Sequence, residues 1–261
     1  MELDLKNKTA IVCGGTQGIG LGIAKEFSNL GIELIIIARD KKKLESCIKT
    51  LKEPSKHSFV CVDFSNVLSF ENKLIEYFKK HKPKVDILIN NTGGPKGGLI
   101  QDAKLEEFSV AFNMHVICNQ ILTNLVLPNM KKSKFGRIIN IISTSVKIPI
   151  NGLGVSNTIR GAVANWSKTL ANEVGKFNIT VNNILPGFTN TPRLSNLIET
   201  MSKKQKRPVT EIKKNIINSV PLQRLGTVED IAYVTSFLAS TRASYISGTN
   251  IPVDGGRTGS L

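Results

Sequence analysis

The fold class this chain predicts is α/β: a doubly wound parallel sheet between two helical layers. Three observations lead there. Short apolar runs alternate with amphipathic stretches along the sequence, several of the short runs are apolar at every position, and the first of them runs straight into a cluster of glycines. Strands without polar alternation are those covered on both faces. Regular alternation of strand and helix is the mark of parallel βαβ units with right-handed crossovers.

Each element follows in order. Residues 9–13 form the first strand and 19–30 the first helix. The run 33–38 (ELIIIA) is a second, β-branched strand, after which Leu44, Ile48 and Leu51 recur at helical spacing. Residues 58–62 are strand three, and 68–78 a helix with Ser65 or Asn66 as its cap. Strand four is 85–90, and 105–130 is one long helix with apolar positions every three or four residues. Strand five (136–142), a second long helix (155–174), strand six (179–185), a helix (231–238) and a last strand (250–253) complete the series. No repeat, linker or break interrupts it, so residues 1–261 are expected to form a single domain. The longest irregular piece is 188–225, where Leu194, Leu197, Ile198 and Met201 stand at i, i+3, i+4 and i+7 and predict one short amphipathic helix. A long insertion beside a ligand crevice is expected to act as a substrate lid; a plain surface excursion is the other reading.

Composition narrows the function classes. With 41% hydrophobic residues the chain buries a core without disulfides or metal, and no stretch of 18 apolar residues predicts a membrane span. The start, Met1-Glu2-Leu3-Asp4, is acidic and polar, unlike a leader peptide. Cys13, Cys47, Cys61 and Cys118 lack metal-ligand spacing and read as reduced, mostly buried thiols of a cytoplasmic protein, and His57, His81 and His115 are dispersed, so no metal site is expected. The net charge is +15. The lysines fall in short clusters (41–43, 79–84, 131–134, 203–207) at the ends of predicted helices, which makes a solvated basic surface the first reading and an acidic substrate or carrier the second. Nucleic acid is not expected, because no basic stripe studded with aromatics is present.

The glycine cluster is Gly14-Gly15-Thr16-Gln17-Gly18-Ile19-Gly20, with a strand before it and a helix after. Glycines allow a tight turn and close approach of backbone to a pyrophosphate, and the helix start offers free N–H groups. That is the context of a Rossmann-like dinucleotide site. Strand two ends at Ala38-Arg39-Asp40. An acidic group here would hold a ribose 2′-hydroxyl, whereas an arginine accommodates a 2′-phosphate, so Arg39 points to NADP(H) over NAD(H), with Asp40 as the opposing charge.

These segments resemble the short-chain dehydrogenase/reductase family. The glycine turn is similar to the family's TGxxxGxG with Cys13 for the threonine, and Asn90-Asn91-Thr92-Gly93 to its NNAG with Thr92 for the alanine. Ala38 stands where NAD-specific members place an aspartate. Cys61-Val62-Asp63-Phe64 resembles the family's adenine-binding aspartate segment, Pro186-Gly187-Phe188-Thr189-Asn190-Thr191 its PGxxxT element, and Val253-Asp254-Gly255-Gly256 its last strand and turn. The resemblance spans residues 8–256. It implies that Gly14, Thr16, Gln17, Gly18, Ile19, Gly20, Arg39, Asp63, Phe64, Asn91, Gly93, Pro186, Gly187, Thr189 and Thr191 bind the cofactor. It also implies a homotetramer or homodimer. The apolar stripe Ile159, Val163, Trp166, Leu170 and Val174 fits either core packing or such an interface.

Family members reduce a carbonyl by hydride transfer, with a Tyr as proton donor, a Lys four residues on, a Ser thirteen residues before the Tyr and an Asn on the preceding long helix. Ser143 and Asn113 match the last two; the Tyr and Lys positions hold Ser156 and Arg160. The chain's tyrosines, Tyr77, Tyr233 and Tyr245, all lie elsewhere. A phenol with pKa near 10 can be tuned toward neutrality; an aliphatic hydroxyl is a weaker acid and shorter. Arg160 can hold the ribose but stays charged and donates no proton. Losing general acid catalysis costs about 10²–10⁴-fold in rate without abolishing hydride transfer.

Three readings follow. The first is an NADP(H)-dependent oxidoreductase of a small carbonyl or 3-oxoacyl thioester, closest to 3-oxoacyl-carrier-protein reductases, with Ser143 and Ser156 on the oxygen and a water relaying the proton. The second is a dinucleotide-binding sensor or partner subunit without turnover. The third is an elimination or isomerisation in the same pocket. Each catalytic candidate also has a local explanation: a strand-end hydrogen bond for Ser143, a helix N-cap for Ser156, a bond within its own helix for Asn113.

Overall fold

A computed structural model describes residues 3–260. Met1 and Glu2, on which the reading of the chain's start rests, lie outside the described residues. Seven strands, β1 (Thr9–Cys13), β2 (Glu33–Ala38), β3 (Ser58–Cys61), β4 (Ile87–Asn90), β5 (Gly136–Ile141), β6 (Ile179–Pro186) and β7 (Asn250–Val253), form one sheet in the order β3-β2-β1-β4-β5-β6-β7. Every pairing is parallel, with Ile11 opposite both Ile35 and Leu88.

The unbroken apolar runs find their reason in two cores. Ala10, Val12, Leu34 and Ile36 point to one face, into a cluster with Ile23 and Phe27 of α1 (Gly18–Asn29), Leu44 of α2 (Lys41–Thr50) and Leu238 of α9 (Val228–Ala239). The alternate residues Ile11, Cys13, Ile35 and Ile37 point the other way, to Leu74 of α3 (Val67–His81), Leu122 and Val126 of α5 (Cys118–Ser133) and Leu170 of α6 (Gly154–Val174). Successive strand residues face opposite sides, so a sheet covered twice leaves no polar alternation. Asn66, one of the two caps expected for α3, accepts from the Ser69 backbone N–H at 3.0 Å.

The long helix expected over 105–130 is two, α4 (Leu105–Phe112) and α5, joined by a π turn at Asn113–Ile117. A π turn adds one residue per turn and is invisible to a search for 3.6-residue periodicity. The combined span Leu105–Ser133 is long and apolar enough by composition to cross a membrane, with a mean hydropathy of 1.3 over an 18-residue stretch of it, although no 18 consecutive residues are apolar. Its inner face, Cys118, Leu122, Val126 and Met130, packs against the sheet. The segment 188–225 holds two helices rather than one, α7 (Pro192–Gln205) and α8 (Val209–Asn218), which pack through Leu194, Ile198, Ile212 and Ile216. Pro208 separates them, and Ile212 and Ile216 carry the second i, i+4 signal.

Three lysine clusters do sit at helix C-termini, in the last turns of α3, α5 and α7, where the helix dipole favours cations. Lys41 to Lys43 instead open α2, where Asp40 caps the Lys43 N–H at 3.1 Å. The α6 stripe is core within the chain: Ile159, Val163, Leu170 and Val174 are buried, and Trp166 donates to Gln120 Oε1 at 2.8 Å. Cys13, Cys47 and Cys118 are buried and Cys61 partly so; all four are free thiols. Among the described residues no group of His, Cys, Asp and Glu is arranged to hold a metal.

Candidate active site

The chain leaves β1 for β2 and β3 on one side, then returns to β4 on the other. Such a reversal opens a crevice at the carboxyl ends of the strands. A cleft of about 640 Å³ lies there.

At its first end, the β1–α1 turn supplies Gly14, Thr16, Gln17, Gly18 and Ile19 to the wall. Gly14 and Gly18 have φ of +60° and +54°, a conformation that favours glycine. The α1 start has no acidic residue in its first turn, and Gln17 makes no side-chain cap, so its N–H groups are open to an anion. Gly20 is not in the wall. A Cβ there would lie 2.3 Å from the Gly14 carbonyl oxygen, so this glycine packs the turn onto the helix. Asn91 lines the cleft and also ties β4 to β1, donating from Nδ2 to the Cys13 carbonyl at 3.1 Å. Its preceding neighbour Asn90 is buried in a ladder across the sheet: Asn90 to Asn140, Asn140 to Asn183 and Asn183 to Asn250, each 2.8 Å.

Arg39, Asp40, Lys43, Asp63 and Phe64 close this end. Asp40 is engaged as the α2 cap. Asp63 accepts from the Ser65 N–H and hydroxyl, both at 2.9 Å, and those bonds hold its carboxyl below the usual range, with a smaller push from Arg39.

At the other end the cleft is lined by Thr92, Gly93, Gly94, Met114, Ser143, Leu153, Ser156 and Arg160, and by Pro186, Gly187, Phe188, Thr189, Thr191 and Arg193. Ser143 ends β5 and accepts from the Ser145 N–H at 3.1 Å, so its local bond and its place in the wall coexist. Ser156 is not a cap: Leu153 holds that position, and Ser156 sits buried in the first turn of α6. Arg160 follows one turn later, 7% exposed, donating from Nη1 to the Ile141 carbonyl at 3.2 Å. Burial and the charge of Arg193 push its pKa down to about 9, which leaves it cationic at neutral pH. Asn113 opens the π turn outside the cleft wall, where its neighbour Met114 enters.

Comparison with known proteins now bears on this geometry. The profile of a family described as enoyl-(acyl carrier protein) reductase matches residues 14–258. The chain is 34% identical to a 3-oxoacyl-[acyl-carrier-protein] reductase of Haemophilus influenzae, over 97% of this chain and 98% of the relative. It is 29% identical to the NADPH-dependent reductase BacG of Bacillus subtilis, over 98% and 100%. The crystal structure of L-sorbose reductase from Gluconobacter frateurii, solved with NADPH and L-sorbose, superposes with a TM-score of 0.93 at 29% identity, covering both chains fully.

The chain belongs to the short-chain dehydrogenase/reductase family.

In this short-chain dehydrogenase/reductase no tyrosine lines the cleft. The Tyr77 hydroxyl pairs with Ser58 Oγ at 2.8 Å, and Tyr233 and Tyr245 are exposed. Four cleft-side residues escape a reading of motifs. Lys43 hides in a lysine run, and Arg193 follows the PGxxxT element. Thr92 replaces an alanine of the NNAG pattern, and His115 lies on a helix face that reads as core. His115 is 2% exposed, its Nδ1 lies 2.5 Å from Thr92 Oγ1, and its Nε2 has no partner. Burial, then the charges of Arg160 and Arg193, lower its pKa to about 2, so the ring is neutral at physiological pH.

Proposed function

We propose that this short-chain dehydrogenase/reductase is an NADP(H)-dependent oxidoreductase that reduces a small carbonyl compound. The observation that carries this reading is one cleft running from Arg39 and Lys43, past the open α1 start, to Ser143, Ser156 and Arg160. NADP(H) fits the residues present. A Cβ on Gly93 would meet nothing within 4 Å, so the wall is open there, and Gly14 and Gly18 hold a turn shaped for phosphate. Arg39 and Lys43 would hold a 2′-phosphate, Asp63 and Phe64 the adenine, and Thr16 to Ile19 with Thr191 the pyrophosphate. Asn91, Gly93 and Arg160 would hold the nicotinamide-side ribose, and Pro186, Gly187 and Thr189 the carboxamide. NAD(H) would leave Arg39 and Lys43 without a counter-charge and is the weaker fit. The names of the similar reductases point to the same cofactor.

NADPH supplies the hydride. Ser143 and Ser156 donate to the substrate oxygen, the Arg160 charge favours the developing alkoxide, and a water relays the proton that a tyrosine supplies elsewhere in the family. Asn113 supports this chemistry through the helix that carries Met114 rather than by contact. The pair α7 and α8 acts as the lid of a single domain. An absence of turnover, leaving a dinucleotide-binding subunit, is the second reading, favoured by the lack of a cleft tyrosine.

We assign the protein to the cytoplasm on its four free thiols, and to a homodimer or homotetramer on the exposed apolar side chains Leu105, Val110 and Phe112 of α4. Light scattering giving a monomer mass would contradict the assembly. The function is tested by NADPH consumption over a panel of ketones, oxo acids and 3-oxoacyl thioesters. One of these substrates is expected to turn over, and Ser143→Ala to lower its kcat/KM by at least about 10²-fold. NADPH binding without consumption by any of them would favour the second reading.

A further inference from the structure

Arg160 and Arg193 face the same end of the cleft, and neither has a carboxylate partner among the described residues. Arg193 stands in the first turn of α7 and reaches across to β4's loop, donating from Nη1 to the Gly94 carbonyl at 3.1 Å. Its guanidinium lies flat on that glycine: a Cβ at position 94 would fall 2.6 Å from Nη2 and 2.8 Å from Nη1. Position 94 therefore makes room for this cation. After burial, the Arg193 charge lowers the pKa of Arg160, and both guanidinium charges lower that of His115, so the three groups lie near one another. Beside them His115 Nε2 is a buried nitrogen with no partner.

The carboxylates of the cleft wall are Asp40 and Asp63, both at the adenine end and both engaged in local bonds. Cofactor phosphates would sit on the glycine turn and beside Arg39 and Lys43, and the ribose near Arg160 is neutral. Arg160 is buried without a carboxylate, and Arg193, exposed at the rim of the cleft, adds a second like charge; an anion between them relieves both. With the NADP(H) reading in place, no carboxylate of the chain reaches this end, and the nearest cofactor charge is the pyrophosphate, held by the glycine turn, the open α1 start and Thr191.

We infer that the substrate is an oxo acid whose free carboxylate is held between Arg160 and Arg193 while its carbonyl oxygen meets Ser143 and Ser156. Ser156 and Arg160 are one helical turn apart, roughly 5–6 Å along the axis. The two side chains leave the same face of α6, so an acid whose carboxylate and carbonyl are close together, such as a 2-oxo or 3-oxo acid, fits the pair. Met114, Leu153 and Leu197 give the cleft an apolar wall for the tail. In the reaction the carbonyl carbon receives the hydride from NADPH and its oxygen a proton from water, leaving a hydroxy acid and NADP⁺. A thioester or methyl ester, lacking the charge, leaves both cations unmatched.

The test is calorimetry on the full chain saturated with NADP⁺, where no turnover occurs. The probes are 4-methyl-2-oxopentanoate and 3-oxohexanoate, each against its methyl ester. At least one acid is expected to bind about 30-fold more tightly than its ester, the loss anticipated for a charge-assisted bidentate contact. Arg193→Gln is expected to erase that preference with NADP⁺ uptake unchanged within about two-fold, and Arg193→Lys to restore part of it. The inference is overturned if ester and acid bind alike, if neither acid binds, or if Arg193→Gln weakens NADP⁺ and acid in equal measure. Failure of NADP⁺ itself to bind removes the parent reading and this inference together.

Discussion

At the residue scale, the proposed mechanism turns on Ser156 and Arg160, which line the cleft together. The Ser156 hydroxyl is a poor acid, and Arg160 is cationic at neutral pH. The double variant Ser156→Tyr with Arg160→Lys is expected to raise carbonyl reduction at least about 10-fold, the low end of what general acid catalysis contributes being nearer 10². No gain in steady-state kcat would mean that the pocket has left carbonyl chemistry. His115 gives a second expectation. Its folded pKa of about 2 lies below the ordinary histidine value, so the unfolded chain binds the proton more readily. The stability this contributes is complete above about pH 6.5 and is lost as pH falls toward 2. At pH 5 the loss is about 2 kcal/mol, and His115→Gln should flatten that slope in urea titrations at pH 7 and pH 5. A variant as acid-sensitive as the parent would contradict it. Arg39 and Ser143 were legible in the sequence because they sit in ordered motifs. Thr92, His115 and Arg193 were not, because their places come from long-range contacts: Thr92 and His115 side chains meet across 23 residues, and Arg193 reaches the Gly94 carbonyl across 99.

At the scale of elements, periodicity located every strand, since a strand covered on both faces leaves an unbroken apolar run. It missed the π turn that divides α4 from α5 and the second helix of the segment 188–225. The first breaks the 3.6-residue period, and the second is polar but for Val209, Ile212, Ile216 and Ile217. It also could not tell the motif asparagine that faces the cleft from its neighbour in the sheet ladder. Asn140, central in that ladder, bonds Asn90, Asn183 and Ser167 Oγ. Asn140→Ala should destabilise the fold by about 3 kcal/mol in denaturant melts, because it strands buried partners; a loss under 1 kcal/mol would show the ladder to be incidental. The glycine turn makes a paired prediction. Gly20→Ala forces a Cβ to 2.3 Å from the Gly14 oxygen and should weaken NADPH binding more than about 10-fold, whereas Gly161→Ala meets nothing within 4 Å inside α6 and should stabilise by about 0.5–1 kcal/mol. Equal effects of the two on NADPH binding would contradict the assignment of the turn.

For the molecule as a whole, the decisive arrangement is the reversal of strand order between β1 and β4, which sets a cleft where sheet, glycine turn and α7 meet. Family and fold were legible because several motifs occur in the right order over nearly the full chain. The substrate was not, because it depends on how charges from α6 and α7 combine in space. The lysine clusters at the ends of α3, α5 and α7 carry part of the net charge of +15, while Arg39 and Lys43 line the edge of the cleft. Replacing them together, Arg39→Glu with Lys43→Glu, should reverse the cofactor preference. The account rests most directly on the affinity of the unaltered protein for its two possible cofactors, measured by calorimetry with NADPH and with NADH. The prediction is saturable binding of NADPH at least about 10-fold tighter than NADH, the worth of one paired 2′-phosphate. Folded protein that takes up neither, or NADH the more tightly, would contradict it.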